Sequence, residues 1–339
     1  MSGSWFPPKE LENVDRESAS RLLYLLRAIQ REPIVLVVGA GVSTSAGLPT
    51  WNELMVTICQ VFFDHWQFEI TQGATTVTRP PKALSVAFSE PWDDDILALG
   101  EEFAGGTPAL VAQQIKNCIR DLDWVYLLRK CLYGVENSKE IQHSPLIDRL
   151  GALCAERTSV QAVVSYNYDS VLEEFLETKG IRFTVLSGEE QHLKPGSLPI
   201  YHVHGYLKRG GGPKTRIVLA EDDYYQDLVA PYSWSNLLQS SLLIRSTCLF
   251  VGTSMTDPNL RRLLRSAFCV GKRFHYAFLP SKGGSTKMTM LDALFDKDLY
   301  SLGVASIRYP IGAEEGFPHS WLPRCIDWLL QFRNRPFPP

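Results

Sequence analysis

Four short segments hold side chains able to do chemistry. The first is Gly39-Ala40-Gly41-Val42-Ser43-Thr44-Ser45-Ala46-Gly47-Leu48-Pro49, which directly follows the apolar run Ile34-Val35-Leu36-Val37-Val38. Small residues let a backbone approach a ligand closely. A helix opening inside this run would aim its free N–H groups at an anion such as a phosphate, and Ser43, Thr44 and Ser45 can cap that helix or bond the anion. The third glycine of the ordinary dinucleotide fingerprint would fall on Thr44, and no acidic residue follows about 20 residues later at a strand end. No Gly-Lys-Ser/Thr follows either, so this is not a nucleoside-triphosphatase loop; a bare tight turn is the competing reading. The second segment is Tyr166-Asn167-Tyr168-Asp169. Asn167 lies at the carboxyl end of a predicted strand, where open sheets bind ligands, although Asn also caps helices well. Asp169 can serve the site or favour the positive end of the helix beginning there. The third is Tyr201-His202-Val203-His204-Gly205. Imidazole suits proton transfer near neutral pH, and strand alternation puts His202 and His204 on one face. Either could serve a site or, together, a metal, although a lone His is more often structural. The fourth is Gly252-Thr253-Ser254, whose hydroxyls can bond a sugar or phosphate. Together these residues point to a bound nucleotide and a proton transfer beside it, with no ligand cluster for a metal.

Several neighbours read as structural. Asp257-Pro258 looks like a helix start, with Asp at the cap and Pro at the first position. Glu221-Asp222-Asp223 reads as the solvated start of another helix. Trp51 reads as a core or pocket-wall aromatic, and Trp234 and Trp321 as ordinary packing.

The elements that must carry these segments read as α/β. An amphipathic helix is predicted over 17–31 and ends before Pro33. Ile34–Val38 is a continuous apolar, β-branched run between Pro and Gly, as expected of a buried parallel strand. A helical pattern resumes at Trp51, Thr75 to Pro81 reads as an exposed loop or hairpin, and 94–156 reads as several helical pieces. Strand-type runs then recur at 161–165, 182–186, 200–203, 216–219, 247–251, 275–279 and 304–308. Helical stretches at 170–178, 222–228, 233–243, 259–269 and 323–332 alternate with them. That alternation predicts a Rossmann-like, doubly wound, mostly parallel sheet. The expected division is an N-terminal helix in 1–32, then one domain over 33–339 with a helical insertion at about 52–156. The Pro-rich end, 335–339, is expected to fray.

Composition narrows the class. Of 339 residues, 45% are hydrophobic, enough for a sizeable core, and the formal net charge of −3 argues against nucleic acid as the main partner. The seven cysteines are scattered, with no Cys-x-x-Cys pair, so a reduced, cytoplasmic setting is expected rather than a disulfide framework. No signal layout opens the chain and no apolar run is long enough to span a bilayer.

Taken in order, these motifs resemble those of the sirtuin (silent information regulator 2) superfamily. Gly39 to Pro49 is similar to its Gly-Ala-Gly-Ile-Ser-x-x-(Ala/Ser)-Gly-Ile-Pro, Tyr166 to Asp169 to its Gln-Asn-Ile-Asp, His204-Gly205 to its His-Gly, and Gly252 to Ser254 to its Gly-Thr-Ser. The departures are informative. The deacylases continue Pro-Asp-Phe-Arg where this chain has Pro49-Thr50-Trp51-Asn52. Their two Cys-x-x-Cys pairs, which hold a structural zinc with four thiolates, are replaced by Cys248 alone between His204 and Gly252. The combination resembles the SIR2-like domains of bacterial antiviral defence. The resemblance implies an NAD glycohydrolase without zinc, with NAD as substrate, nicotinamide and ADP-ribose as products, and anti-phage defence by NAD depletion as the setting. It also implies a homo-oligomer held inactive until a separately encoded trigger or partner acts. By the same resemblance Asn167 holds the attacking water or the ribose, and His204 is the base or orients the ribose hydroxyls. Asp169 supports the nicotinamide-ribose pocket, and Gly39, Ala40, Gly41, Ser43, Pro49, Trp51, Gly252, Thr253 and Ser254 line the dinucleotide site. The alternatives are a deacylase or ADP-ribosyltransferase, and a silent module that binds NAD or ADP-ribose.

Overall fold

The computed structural model describes residues 15–65, 67–71, 74–78, 107–119, 121–134, 141–142, 144–156, 158–211, 216–283, 286–312 and 319–335. The expectations for 1–14, 79–81, 94–106 and 336–339 lie outside the described residues.

Strand β1 (Ile34–Val38) is the hub. All five of its side chains are buried. Ile34, Leu36 and Val38 enter one apolar cluster, while Val35 and Val37 enter a second on the opposite face. A strand covered on both sides reads as an uninterrupted apolar run, which is why it was legible without alternation. Around it stand β4 (Val160–Ser165), β5 (Phe183–Leu186), β6 (Leu198–His202), β7 (Cys248–Val251), β8 (His275–Pro280) and β9 (Val304–Tyr309). The sheet order is β5-β6-β4-β1-β7-β8-β9, with every pairing parallel. From β1 the chain lays β4 beside it, β5 at the edge and β6 between those two, then returns to lay β7 on the other side of β1. The order therefore reverses between β1 and β7, and beyond the carboxyl ends of such a pair an open sheet forms a ligand crevice.

Helices cover both faces. Alpha-helices α1 (Arg16–Arg31), α3 (Trp51–His65), α6 (Pro145–Ala155), α7 (Val171–Thr178) and α12 (Trp321–Phe332) feed the first cluster through residues such as Leu25, Met55, Leu150, Leu176 and Trp328. On the other face α9 (Trp234–Arg245), α10 (Pro258–Gly271) and α11 (Thr286–Ser301) contribute Leu243, Leu263 and Leu299. Between β1 and β4 lie also α2 (Ala40–Thr44), a hairpin of β2 (Gln67–Thr71) and β3 (Ala74–Thr78), α4 (Pro108–Cys118) and α5 (Asp121–Tyr133). The short helix α8 (Glu221–Val229) packs on α4. Among the described residues no helix is long and apolar enough to cross a membrane.

Two expectations are corrected. Residues 216–219 are not a strand. Ile217, Val218 and Leu219 are buried, but the segment is tied by the Val218 N–H to the His204 carbonyl (2.9 Å) and by the Tyr168 hydroxyl to the Val218 carbonyl (2.7 Å), outside the ladder of the sheet. Helix α11 was not anticipated, because its buried side chains are Asp292 and Leu299 and most of its surface faces solvent, leaving no apolar stripe to read.

Candidate functional site

The carboxyl ends of β1, β4, β6 and β7 open into one cavity of about 970 Å³. All the residues singled out from sequence line it: Gly39, Ala40, Gly41, Ser43, Pro49, Trp51, Asn167, Asp169, His204, Gly252, Thr253 and Ser254. Helix α8 contributes Glu221, Tyr224 and Leu228 to the wall, and His319 closes another part, its Nδ1 3.0 Å from the Tyr309 hydroxyl.

The glycine loop works differently from the expectation. Helix α2 begins at Ala40 with Gly39 as its cap, so the hydroxyls of Ser43, Thr44 and Ser45 lie too far along to cap it. Thr44 and Ser45 donate back to the carbonyls of Gly41 (3.1 Å) and Val42 (2.6 Å). The loop's N–H groups are largely spent inside the protein. Gly39 donates to Val251 (3.1 Å), Gly41 to Gly252 (2.9 Å) and Val42 to Gly39 (2.9 Å). The glycines therefore clamp the ends of β1 and β7 together. Gly252 has φ +68°, and a Cβ there would stand 2.6 Å from the Val42 nitrogen.

Ser43 sits inside a buried polar chain. Asn167 is 8% exposed, and its Nδ2 donates to the Gly39 carbonyl (3.0 Å) and the Ser43 Oγ (2.9 Å). Ser43 in turn hydrogen-bonds the Asp169 carboxylate, which also accepts from the Val171 N–H (3.1 Å) at the start of α7. Asp169 thus bonds the start of α7 and also lines the cavity, while Asn167 is turned to the loop rather than to a helix cap. Burial raises the Asp169 pKa to about 6, against the lowering effect of the Ser43 and Val171 bonds. A raised carboxyl pKa favours the fold at low pH and costs stability as pH rises through about 6. Asp169→Asn keeps an acceptor and removes that charge. It is expected to raise unfolding free energy at pH 8 by roughly 3 kcal/mol, with the gain vanishing below about pH 4. Urea titrations of both proteins at the two pH values check this.

The two imidazoles do not share a face. Strand β6 ends at His202 and a turn follows, which reorients His204. His202 is buried, with Nδ1 2.9 Å from the Asn167 carbonyl and Nε2 2.6 Å from the Glu173 carboxylate. Burial disfavours its charge, but Glu173 and the Asn167 carbonyl outweigh it and hold the pKa above the ordinary value. His202 thus fixes the backbone that presents Asn167. His204 meets other neighbours: the edges of Tyr166 (ring centroids 4.8 Å apart) and Tyr224 (5.9 Å), and Asp257, whose Oδ2 is 3.6 Å from Nε2. Burial lowers the His204 pKa, Asp257 and Asp227 oppose it, and Arg216 adds to the lowering. The balance favours the neutral ring, the form able to accept a proton.

The acidic run 221–223 is not simply solvated. Asp223 is buried, accepting from the Ala220 N–H (3.0 Å) and pairing with Lys116 of α4 (2.8 Å), and Glu221 faces the cavity. Asp257 does cap α10, accepting from the Leu260 N–H (2.6 Å), yet it also lines the cavity beside His204. Trp321 is buried, stacked on Tyr309 with centroids 5.4 Å apart, as its packing role predicted. Among the described residues, no group of three or more His, Cys, Asp and Glu is placed to hold a metal ion.

Residues 161–297, from β4 into α11, match the family model described as a SIR2-like domain. A stretch of 132 residues is 31% identical to the NAD(+) hydrolase ThsA of Bacillus cereus (strain MSX-D12), covering 36% of this chain and 26% of that protein. The match thus spans about a quarter of the relative's length. Asn167, His204 and Gly252 to Ser254 fall within the family match, and the glycine loop that clamps onto Gly252 completes the same cavity. Over residues 161–297 this chain is thus similar to SIR2-like domains.

Proposed function

We propose that this chain hydrolyses the nicotinamide–ribose bond of NAD, giving nicotinamide, ADP-ribose and a proton. The observation that carries this reading is the meeting of Asn167 and His204 in one cavity at the point where the strand order reverses, inside a SIR2-like match. The nicotinamide of NAD is already a cationic leaving group, so its departure needs no general acid. Positive charge instead builds on the ribose, and the protein's work is to hold the dinucleotide, place a water and accept its proton. With Nδ2 anchored to Gly39 and Ser43, the Asn167 Oδ1 accepts a hydrogen from the attacking water. Neutral His204 takes the proton. Thr253 and Ser254 hold the phosphates or ribose, and Trp51 and Pro49 wall the cavity. The acidic lining, Asp169, Glu221 and Asp257, favours the developing cation.

The same reading covers the setting: a cytoplasmic, zinc-free enzyme that depletes NAD during phage infection, assembled from several copies and released by a separately encoded trigger. The distribution of domains follows it too, with residues 33–339 as one NAD-binding domain and 52–156 as its insertion. The deciding experiment incubates purified protein and NAD without an acceptor, alone and with an extract of phage-infected cells as the source of the trigger, and follows nicotinamide and ADP-ribose. Hydrolysis without an acceptor is expected, and Asn167→Ala should lower it by about 100-fold through loss of water placement. Turnover that requires an acyl-lysine or another acceptor would favour a deacylase or transferase, and NAD binding without turnover a silent module.

A further inference from the structure

We infer that Asp257 is a positioning residue for His204, forming with it an acid–base pair whose carboxylate orients the imidazole and balances its charge once it has taken a proton. This rests on the NAD-hydrolase reading and names a participant that the helix-cap signal conceals.

The two oxygens of Asp257 have separate tasks. Oδ1 accepts from the Leu260 N–H (2.6 Å), which anchors the side chain at the first turn of α10. Oδ2 is thereby turned to the His204 Nε2 at 3.6 Å. Both residues line the cavity, so the pair stands where the substrate must lie. The side chains are 8% and 16% exposed, His204 first, which limits screening by water. At 3.6 Å the carboxylate is within ion-pair reach of Nε2 but does not yet hydrogen-bond it; closing that gap puts the hydrogen on Nε2 and leaves the lone pair on Nδ1. Hydrogen bonds of this kind are often long without substrate and tighten when the site fills. In the reaction the water loses a proton to Nδ1 as its oxygen bonds to the anomeric carbon and the carbon–nitrogen bond to nicotinamide breaks. The imidazolium then lies against Asp257 until the proton passes to solvent. The other groups facing His204 are Tyr166, Tyr224, Asp227 and Arg216. Arg216 is already paired with Asp227 at 2.6 Å, which leaves Asp257 as the carboxylate at contact distance from the ring.

The test uses Asp257→Asn and Asp257→Ser, since both side chains cap helices about as well as Asp. Two readouts are needed. In steady-state NAD hydrolysis, kcat should fall by about 100-fold with KM within about threefold, as expected for lost orientation rather than lost binding. The acid limb of kcat/KM should move to lower pH, because a negative neighbour that favours imidazolium has been removed. Independently, the His204 imidazole is titrated by NMR in the full chain without NAD, assigned by comparison with His204→Ala. Its midpoint should move to lower pH in both variants, with thermal midpoints close to the parent's. If the parent shows no NAD turnover either alone or with the extract of infected cells, the hydrolase reading fails while the titration still judges the pair. An unchanged His204 titration overturns the pairing. So does parental kcat with a parental pH profile, which would leave Asp257 as a cap alone.

Discussion

His204→Ala is expected to lower NAD turnover by about 10²- to 10⁴-fold, the range that a well-placed general base contributes, while nicotinamide release remains detectable above background. The geometry sets the direction. His204 is buried and edge-packed by Tyr166 and Tyr224, so it is held in place, and burial favours its neutral form, the form that can accept a proton. A neutral base with a lowered pKa also fixes the pH profile of the parent. Activity should be level above about pH 6.5 and fall only as pH drops below the ordinary histidine range, where the imidazole protonates. Substrate affinity should change little, because in the proposed reading the dinucleotide is held mainly by other groups, among them Thr253 and Ser254. The measurement is the pH dependence of kcat/KM for parent and variant, with nicotinamide quantified directly. A variant that keeps parental kcat would remove His204 from the chemistry and leave it as a packing residue.

What made this site legible was its placement at strand ends. Ile34–Val38 and Cys248–Val251 are buried on both faces, so each appears as an apolar run broken by glycine, and the break marks where the cavity opens. Asn167 and His204 follow strands of the same kind. The clamp made by the glycines was not legible, because a loop that accepts a phosphate and a loop that accepts another loop need the same small residues; the Gly41 to Gly252 bond shows that the second use is made here. The role of His202 was half visible. Its burial followed from the apolar strand, but its bond to Glu173 joins β6 to α7, a pairing that no local pattern carries. Asp257 shows the same limit. Its cap signal is contained in four residues, whereas its approach to His204 depends on how β6 and β7 are spaced across the sheet by β4 and β1. Residues 216–219 misled because buried extended chain has strand composition whether or not it joins a ladder.

Gly205 offers the largest expected loss of stability, and the reason lies in the same turn that presents His204. Its φ is +101°, a left-handed conformation that side chains disfavour, and a Cβ there would stand 2.2 Å from the Arg216 carbonyl oxygen and 2.8 Å from the Ile217 Cδ1. The oxygen is backbone and cannot rotate away, so the segment 216–219 must shift. That segment is bonded to the His204 carbonyl through Val218, to Tyr168 through the Val218 carbonyl, and to α8 through the Arg216 pair with Asp227. Gly205→Ala therefore combines backbone strain with overpacking, each worth about 1–3 kcal/mol, for a total of roughly 2–6 kcal/mol. Against a typical domain stability of about 5–15 kcal/mol, the variant should unfold at much lower urea or collect in the insoluble fraction. Any protein that still folds should lose NAD hydrolysis beyond its loss of folded fraction, since the shift moves His204 away from Asp257 and Tyr224. Gly210→Ala is the matched control, because a Cβ there meets no atom within 4 Å; it should keep both stability and turnover. A folded, fully active Gly205→Ala would mean that the turn after β6 can relax without moving the imidazole, and the motif glycine would then have no structural claim on the site.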